Sequence, residues 1–129
     1  MESREGDVEQ HLSGRPPQIV ALYRRFITMA EECGPFTYAV SKSAITLKGE
    51  RRGFAGAALS ATHLKVYLDL PRQIPDDPRR VRSDPYGKRL FVHHFRIAAV
   101  DELDDTFRGW LSGAYEVGQG MHLAGPTIR

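Results

Sequence analysis

Residues 64–71 read LKVYLDLP, residues 88–97 read KRLFVHHFRI, and residues 101–118 run from DELDD into FRGWLSGAYEVG. In the first stretch Leu64, Val66, Leu68 and Leu70 alternate with Lys65, Tyr67 and Asp69. Period-two alternation is the pattern of a half-buried strand. The second stretch reads as a strand from about Arg89 to Ile97. In the third, Leu103, Phe107, Trp110, Leu111 and Ala114 recur at helical spacing behind an acidic start, and Gly118 closes the helix. A strand, a long loop, a strand and a helix in that order define an α+β domain.

Working outward, Pro16-Pro17 opens another helix, with Pro17 at a first-turn position where its missing N–H costs nothing. Its apolar stripe is Ile19, Leu22, Tyr23, Phe26, Met29, Ala30 and Cys33, and Gly34-Pro35 ends it. A short helix precedes it, capped by Asp7 and stopped by Gly14. Between the long helices, Phe36–Val40 and Ile45–Leu47 alternate as strands. Gly53–Leu59 is a weaker strand, whose glycines and alanines imply a bulge or the close approach of another element. The expected fold is an N-terminal helix, a five-stranded antiparallel meander and a C-terminal helix, with both helices on one sheet face. One domain spans residues 7–118, and residues 1–6 and 119–129 are expected to be flexible termini.

The 129 residues carry a formal net charge of +2, laid out unevenly. Residues 42–96 hold 12 Lys/Arg against 5 Asp/Glu, a net +7, while residues 1–41 and 97–129 carry −2 and −3. A local field of this kind attracts a charged partner more than the total does. No apolar run reaches the roughly 18 residues of a membrane span, and MESREGDVEQHL is too charged for a signal peptide. The single cysteine, Cys33, excludes an intrachain disulfide and fits a reducing cytoplasm.

From Asp7 to Gly118 the chain resembles the family catalogued as domain of unknown function 5655. The resemblance rests on VEQHLSGRPPQIVALYRRF, SKSAITLKG, LKVYLDLPRQIPDDPRR, VHHFRI with VDELDD, and AYEVG, in that order. It implies a compact bacterial α+β domain, sometimes appended to other domains, with no established chemistry. Frataxin-like iron carriers look similar in outline and depend on an acidic first helix. Here that helix has Arg24 and Arg25 in its middle and Glu31 and Glu32 only near its end, which argues against iron.

The candidate chemistry is binding rather than catalysis. No serine has a nucleophile-elbow context, Cys33 lies on an apolar stripe, and no glycine-rich dinucleotide fingerprint is present. His93 and His94 point to opposite strand faces and cannot share a metal. His93 reads as a hydrogen-bonded, half-buried residue, and His94 as a ligand contact. Asp101, Glu102, Asp104 and Asp105 read as first-turn capping, with Asp101 as the cap, rather than as a metal site. No metal or cofactor is expected.

Residues 71–88 read as an irregular loop of eighteen residues holding four of the eight prolines. A loop of that length in a small domain is usually functional. Its Arg79, Arg80 and Arg82, with Lys65, Arg96 and His94 on the sheet face away from the helices and Lys42 at a strand turn, form the expected anion-binding set. Lys42 gains weight because proteins of the resembled family carry a lysine in that step. The expected function is a non-catalytic binding or accessory domain for an anionic partner, nucleic acid among the candidates. The alternatives are a small-molecule domain with a pocket at Tyr67 and His94, or a structural interaction module.

Overall fold

The computed structural model describes residues 5–121. Helix α1 spans Glu5–Leu12 and α2 spans Pro17–Cys33. Six strands follow: β1 Thr37–Val40, β2 Ile45–Lys48, β3 Gly53–Leu59, β4 Leu64–Leu70, β5 Arg80–Tyr86 and β6 Leu90–Ile97. A 3-10 turn at Val100–Glu102 leads into α3, Asp105–Gly118. The fold is α+β with one antiparallel sheet in the order β1-β2-β3-β4-β6-β5.

Helix α2 starts at Pro17 and buries Ile19, Leu22, Tyr23, Phe26, Met29 and Ala30 of the predicted stripe, together with Ile27, while Cys33 at the end of that stripe is only half-buried. Helix α1 is already under way at Glu5, so Asp7 lies inside it rather than capping it. Gly14, at φ 77, makes the left-handed turn between the two helices, a conformation that costs glycine little. The core joins these helices to the sheet through aromatic rings. Phe107 of α3 meets Phe26 of α2 and Phe95 of β6 edge-on, at centroid distances of 6.4 and 5.4 Å. Trp110 stacks on Phe95, and Tyr115 meets Phe54 of β3.

The sheet has six strands where the sequence reads as five, and it is not a simple meander. The added strand, β5, occupies the second half of the expected 71–88 loop, which leaves Pro71–Arg79 irregular. β5 reads RVRSDPY, without alternating apolar residues; it is an edge strand paired only with β6, and none of its residues is fully buried. An edge tolerates Pro85 and is protected from further pairing by its charges. β6, with Phe95 and Ile97 buried, takes the interior place beside β4.

The weak strand Gly53–Leu59 carries both expected features. The β2–β3 register shifts at Leu47/Lys48, a bulge that offsets Phe54 from the regular alternation. Gly56 stands directly opposite Tyr67, whose ring occupies the space a Cβ would need.

At the C-terminal helix the cap is Asp104, not Asp101: its carboxylate accepts from the Phe107 N–H at 3.0 Å. Asp101 is exposed within the preceding 3-10 turn. That turn is tied back by Glu102, which accepts from the N–H groups of Ala98 and Ala99. Beyond Gly118, Gln119 Oε1 accepts from the Glu50 N–H at 2.9 Å, and the Gly118 carbonyl accepts from Arg51 and Arg52. The rest of the expected C-terminal tail, 122–129, and residues 1–4 lie outside the described residues.

Candidate anion-binding face

Strand pairing builds the site in rows. Lys65 of β4 stands directly opposite Arg96 of β6, and Tyr67 opposite His94. His94 is paired on its other side with Arg82 of β5, and Tyr67 on its other side with Gly56 of β3. Asp69 pairs with Val92, which pairs with Asp84. Because side chains alternate, Lys65, Tyr67 and Asp69 share one face, and Leu64, Val66, Leu68 and Leu70 line the other, fully buried one.

A groove of about 450 Å³ lies over the first two rows. Lys65, Arg96, His63, His94 and Arg82 supply its polar lining, and Ala57, Ala58 and Val81 part of its apolar lining. Lys65 and Arg96 are exposed, and among the described residues neither side chain has an ion-pair or hydrogen-bond partner. Like charges directly opposite on a sheet repel. His63 is oriented by the hydroxyls of Ser60 and Thr62, at 3.1 and 2.9 Å from Nδ1. Burial, with Arg96 and Lys65 nearby, holds its pKa below the ordinary histidine value. His94 is likewise held low, by burial first and then by Arg82, with Asp84 opposing. Its Nε2 is 3.5 Å from Asp84 Oδ2, which also accepts from Arg82 Nε at 2.8 Å.

A second hollow of about 530 Å³ adjoins the first at Tyr67 and is lined by Arg52, Gly53, Tyr67, Asp69, Tyr86 and Val92. Arg52 Nη2 donates to Asp69 Oδ2 at 2.6 Å, Nε donates to the Gly53 carbonyl, and the guanidinium lies over the Tyr86 ring at 5.5 Å. Asp69 is only 5 % exposed. Burial pushes its carboxyl up to about 6 even though Arg52 pulls the other way. Its Oδ1 is buried with no partner. Tyr67 is anchored by a 3.0 Å hydrogen bond with the Thr46 hydroxyl.

The structure places the loop arginines in different surroundings. Arg79 is a structural clamp, with Nε and Nη2 donating to Asp77 and Nη1 to the Glu102 carbonyl and Asp104. Its guanidinium also covers Trp110 at 5.1 Å, so its donors are committed. Hydrogen bonds from Arg79 in turn hold the Asp77 carboxyl down to about 2. Arg80 is opposite Phe95 and donates to the Ile74 carbonyl and to Asp76. Only Arg82 lines the groove. Lys42, in the β1–β2 turn, borders a different hollow with His11 and Arg15.

His93 is fully buried, more so than expected, and its Nε2 donates to the Arg72 carbonyl at 3.0 Å. It fastens the loop that follows β4. Burial lowers its pKa, against the pull of that hydrogen bond. Cys33 is half-buried, and burial raises its thiol.

Asp69 and Arg52 carry no local signal as site residues. Asp69 sits in an ordinary alternation, and its partner Arg52 comes from the distant β2–β3 turn.

A small α+β domain built on one six-stranded antiparallel sheet is thus defined. Residues 8–118 match the family described as "Domain of unknown function (DUF5655)", and the chain belongs to that family. No curated protein and no solved structure matches it. No helix among the described residues is long and apolar enough to cross a membrane.

Proposed function

We propose that this chain is a non-catalytic binding domain that engages an anionic partner through the Lys65 face of its sheet. In this reading α2 and α3 both cover the opposite face, leaving Lys65, Tyr67, His94 and Arg96 open to a ligand. The observation that carries it is the Lys65–Arg96 pair: two cations directly opposite each other across β4 and β6, with no ion-pair partner for either among the described residues. Such a pair costs stability unless an anion bridges it. Arg's planar fork and the point charge of Lys together suit phosphate oxygens. His63 and His94, both held toward the neutral form, add ring nitrogens to the lining, Arg82 stands beside them paired with Asp84, and β5 forms one wall. Arg79 and Arg80 support that wall without reaching the ligand. The lone cysteine suits a reducing cytoplasm, where phosphorylated partners abound.

Nucleic acid is one such partner, and a small phosphorylated molecule is the other. The apolar wall of Val81, Ala57 and Ala58, in a groove of about 450 Å³, favours the small molecule. The test is a titration of the domain, at low and high salt, with pyrophosphate and with single- and double-stranded oligonucleotides. Phosphate-dominated binding weakens steeply with salt, and a polyanion spanning more cations has the steeper slope. Lys65→Ala with Arg96→Ala abolishes binding of every anion while leaving the fold intact, since both side chains are exposed. Absence of binding to all three probes by the folded wild-type domain overturns the reading.

A further inference from the structure

The two hollows meet at Tyr67, and the charge along β4 changes sign across them. Lys65 and Arg96 stand at one end, Tyr67 and His94 in the middle, and Asp69 at the other end. Lys65 and Asp69 are four residues apart, so ~13 Å separates the two ends at strand rise. A carboxylate on a sheet face is normally hydrated or fully paired. Asp69 is only half paired: Oδ2 is held by Arg52, and Oδ1 is buried with no protein partner among the described residues. An acceptor left unmade in this way is costly and calls for an explanation. The structural core does not need it, because Asp69 faces away from Leu68 and Leu70. Arg52 leaves one oxygen of the pair free, and Tyr67, fixed by Thr46 and seated over Gly56, presents an aromatic surface beside it.

Building on the anion-binding reading of Lys65 and Arg96, we propose that a single ligand lies along β4 across both hollows. Its phosphate end meets Lys65 and Arg96, and a planar ring rests against Tyr67 and donates an exocyclic amino N–H to Asp69 Oδ1. A nucleoside diphosphate whose base carries an amino group has this chemistry. Carboxylates accept from such amino groups, whereas a base with a carbonyl in the same place puts two acceptors face to face. Tyr86, on the edge strand and 58 % exposed, moves aside to admit the ring. Arg52 stays on Oδ2 and keeps the carboxylate oriented.

Matched pairs of ligands test this directly. Adenosine diphosphate and inosine diphosphate differ by an amino group against a carbonyl, as do cytidine diphosphate and uridine diphosphate. Calorimetric titration is expected to show the amino member of at least one pair binding about tenfold or more tightly, the worth of one hydrogen bond to a charged group. Asp69→Asn, whose amide both donates and accepts, is expected to abolish that preference while pyrophosphate binding stays as in the wild type. In the unmutated protein, pyrophosphate should shift backbone amide resonances around Lys65 and Arg96 only, and the preferred diphosphate should also shift those of Tyr67 to Asp69 and Tyr86. Equal affinities within both pairs, or a preference that survives Asp69→Asn, overturns the role of Asp69 while leaving the anion site standing. Failure of pyrophosphate and all four nucleotides to bind overturns both.

Discussion

The ring of Tyr67 lies over the backbone of Gly56, its cross-strand neighbour, in space that a Cβ on residue 56 would occupy. The two residues act as one unit: the missing side chain seats the ring, and the Thr46 hydroxyl holds its far end. Gly56→Ala is therefore predicted to expel the ring. Overpacking of this kind costs about 1–3 kcal/mol, and the wall shared by both hollows is lost with it. The penalty should be much smaller in a Tyr67→Ala background, because the clash is gone. Chemical denaturation of the two single variants and the double variant measures that coupling. Equal penalties in both backgrounds would show that the ring is not what Gly56 accommodates.

Arg79 should matter for folding rather than for binding. Its side chain is 10 % exposed and joins Asp77, the Glu102 carbonyl, Asp104 and Trp110. Removing one partner of a largely buried ion pair strands the others, so Arg79→Ala is predicted to cost about 3 kcal/mol. Arg79→Lys should restore little, since a point charge cannot reproduce the planar fork. Anion affinity, measured where each variant is folded, should be unchanged. A stable Arg79→Ala protein with weakened anion binding would reverse this assignment.

The two aspartates before α3 make a sharper comparison. Asp104 accepts from the Phe107 N–H and from Arg79, in that order holding its pKa below the ordinary carboxylate value. Asp101 is exposed in the 3-10 turn and makes no such bond. Asp104→Ala is predicted to cost about 1–2 kcal/mol, and Asp101→Ala less than about 0.5 kcal/mol. Urea midpoints of the two variants check the ranking.

What was legible in the sequence was whatever repeats within one element. The Ile19 to Ala30 stripe and the Leu64 to Leu70 alternation each report their buried face without outside help. β5 was hidden because none of its residues is fully buried, so no face is written into its sequence, and RVRSDPY reads as loop. The same strand concealed the site. Tyr86 comes from β5 and Arg52 from the β2–β3 turn, and they meet over β4 in the hollow that Asp69 also lines. Charge counting singled out Lys65, Arg96, Arg79, Arg80 and Arg82 alike, and it could not tell the exposed Lys65 and Arg96 from the tied-down Arg79. A guanidinium's availability depends on carboxylates such as Asp104, which lies twenty-five residues away.

Asp69 and His93 give opposite contributions to stability as pH changes. The Asp69 carboxyl is raised to about 6 by burial, so the folded chain takes up its proton before the unfolded chain does. The stability this contributes is fully present below the ordinary carboxylate value of about 4, and it is lost as pH rises through about 6. His93 is lowered by burial, so its contribution is fully present above about 6.5 and is lost as pH falls through its folded value. On acidification from pH 7, the two effects partly offset each other. Asp69→Asn removes one side of that balance while keeping the side chain's size. Relative to wild type, the variant should gain stability steadily from pH 4 to pH 7, and its own profile should fall more steeply on the acid side. Urea midpoints at half-unit intervals between pH 4 and 8 measure both slopes. Parallel profiles for wild type and Asp69→Asn across that window would mean that the Asp69 carboxyl titrates alike in the folded and unfolded chains, and that it is not the buried group described above.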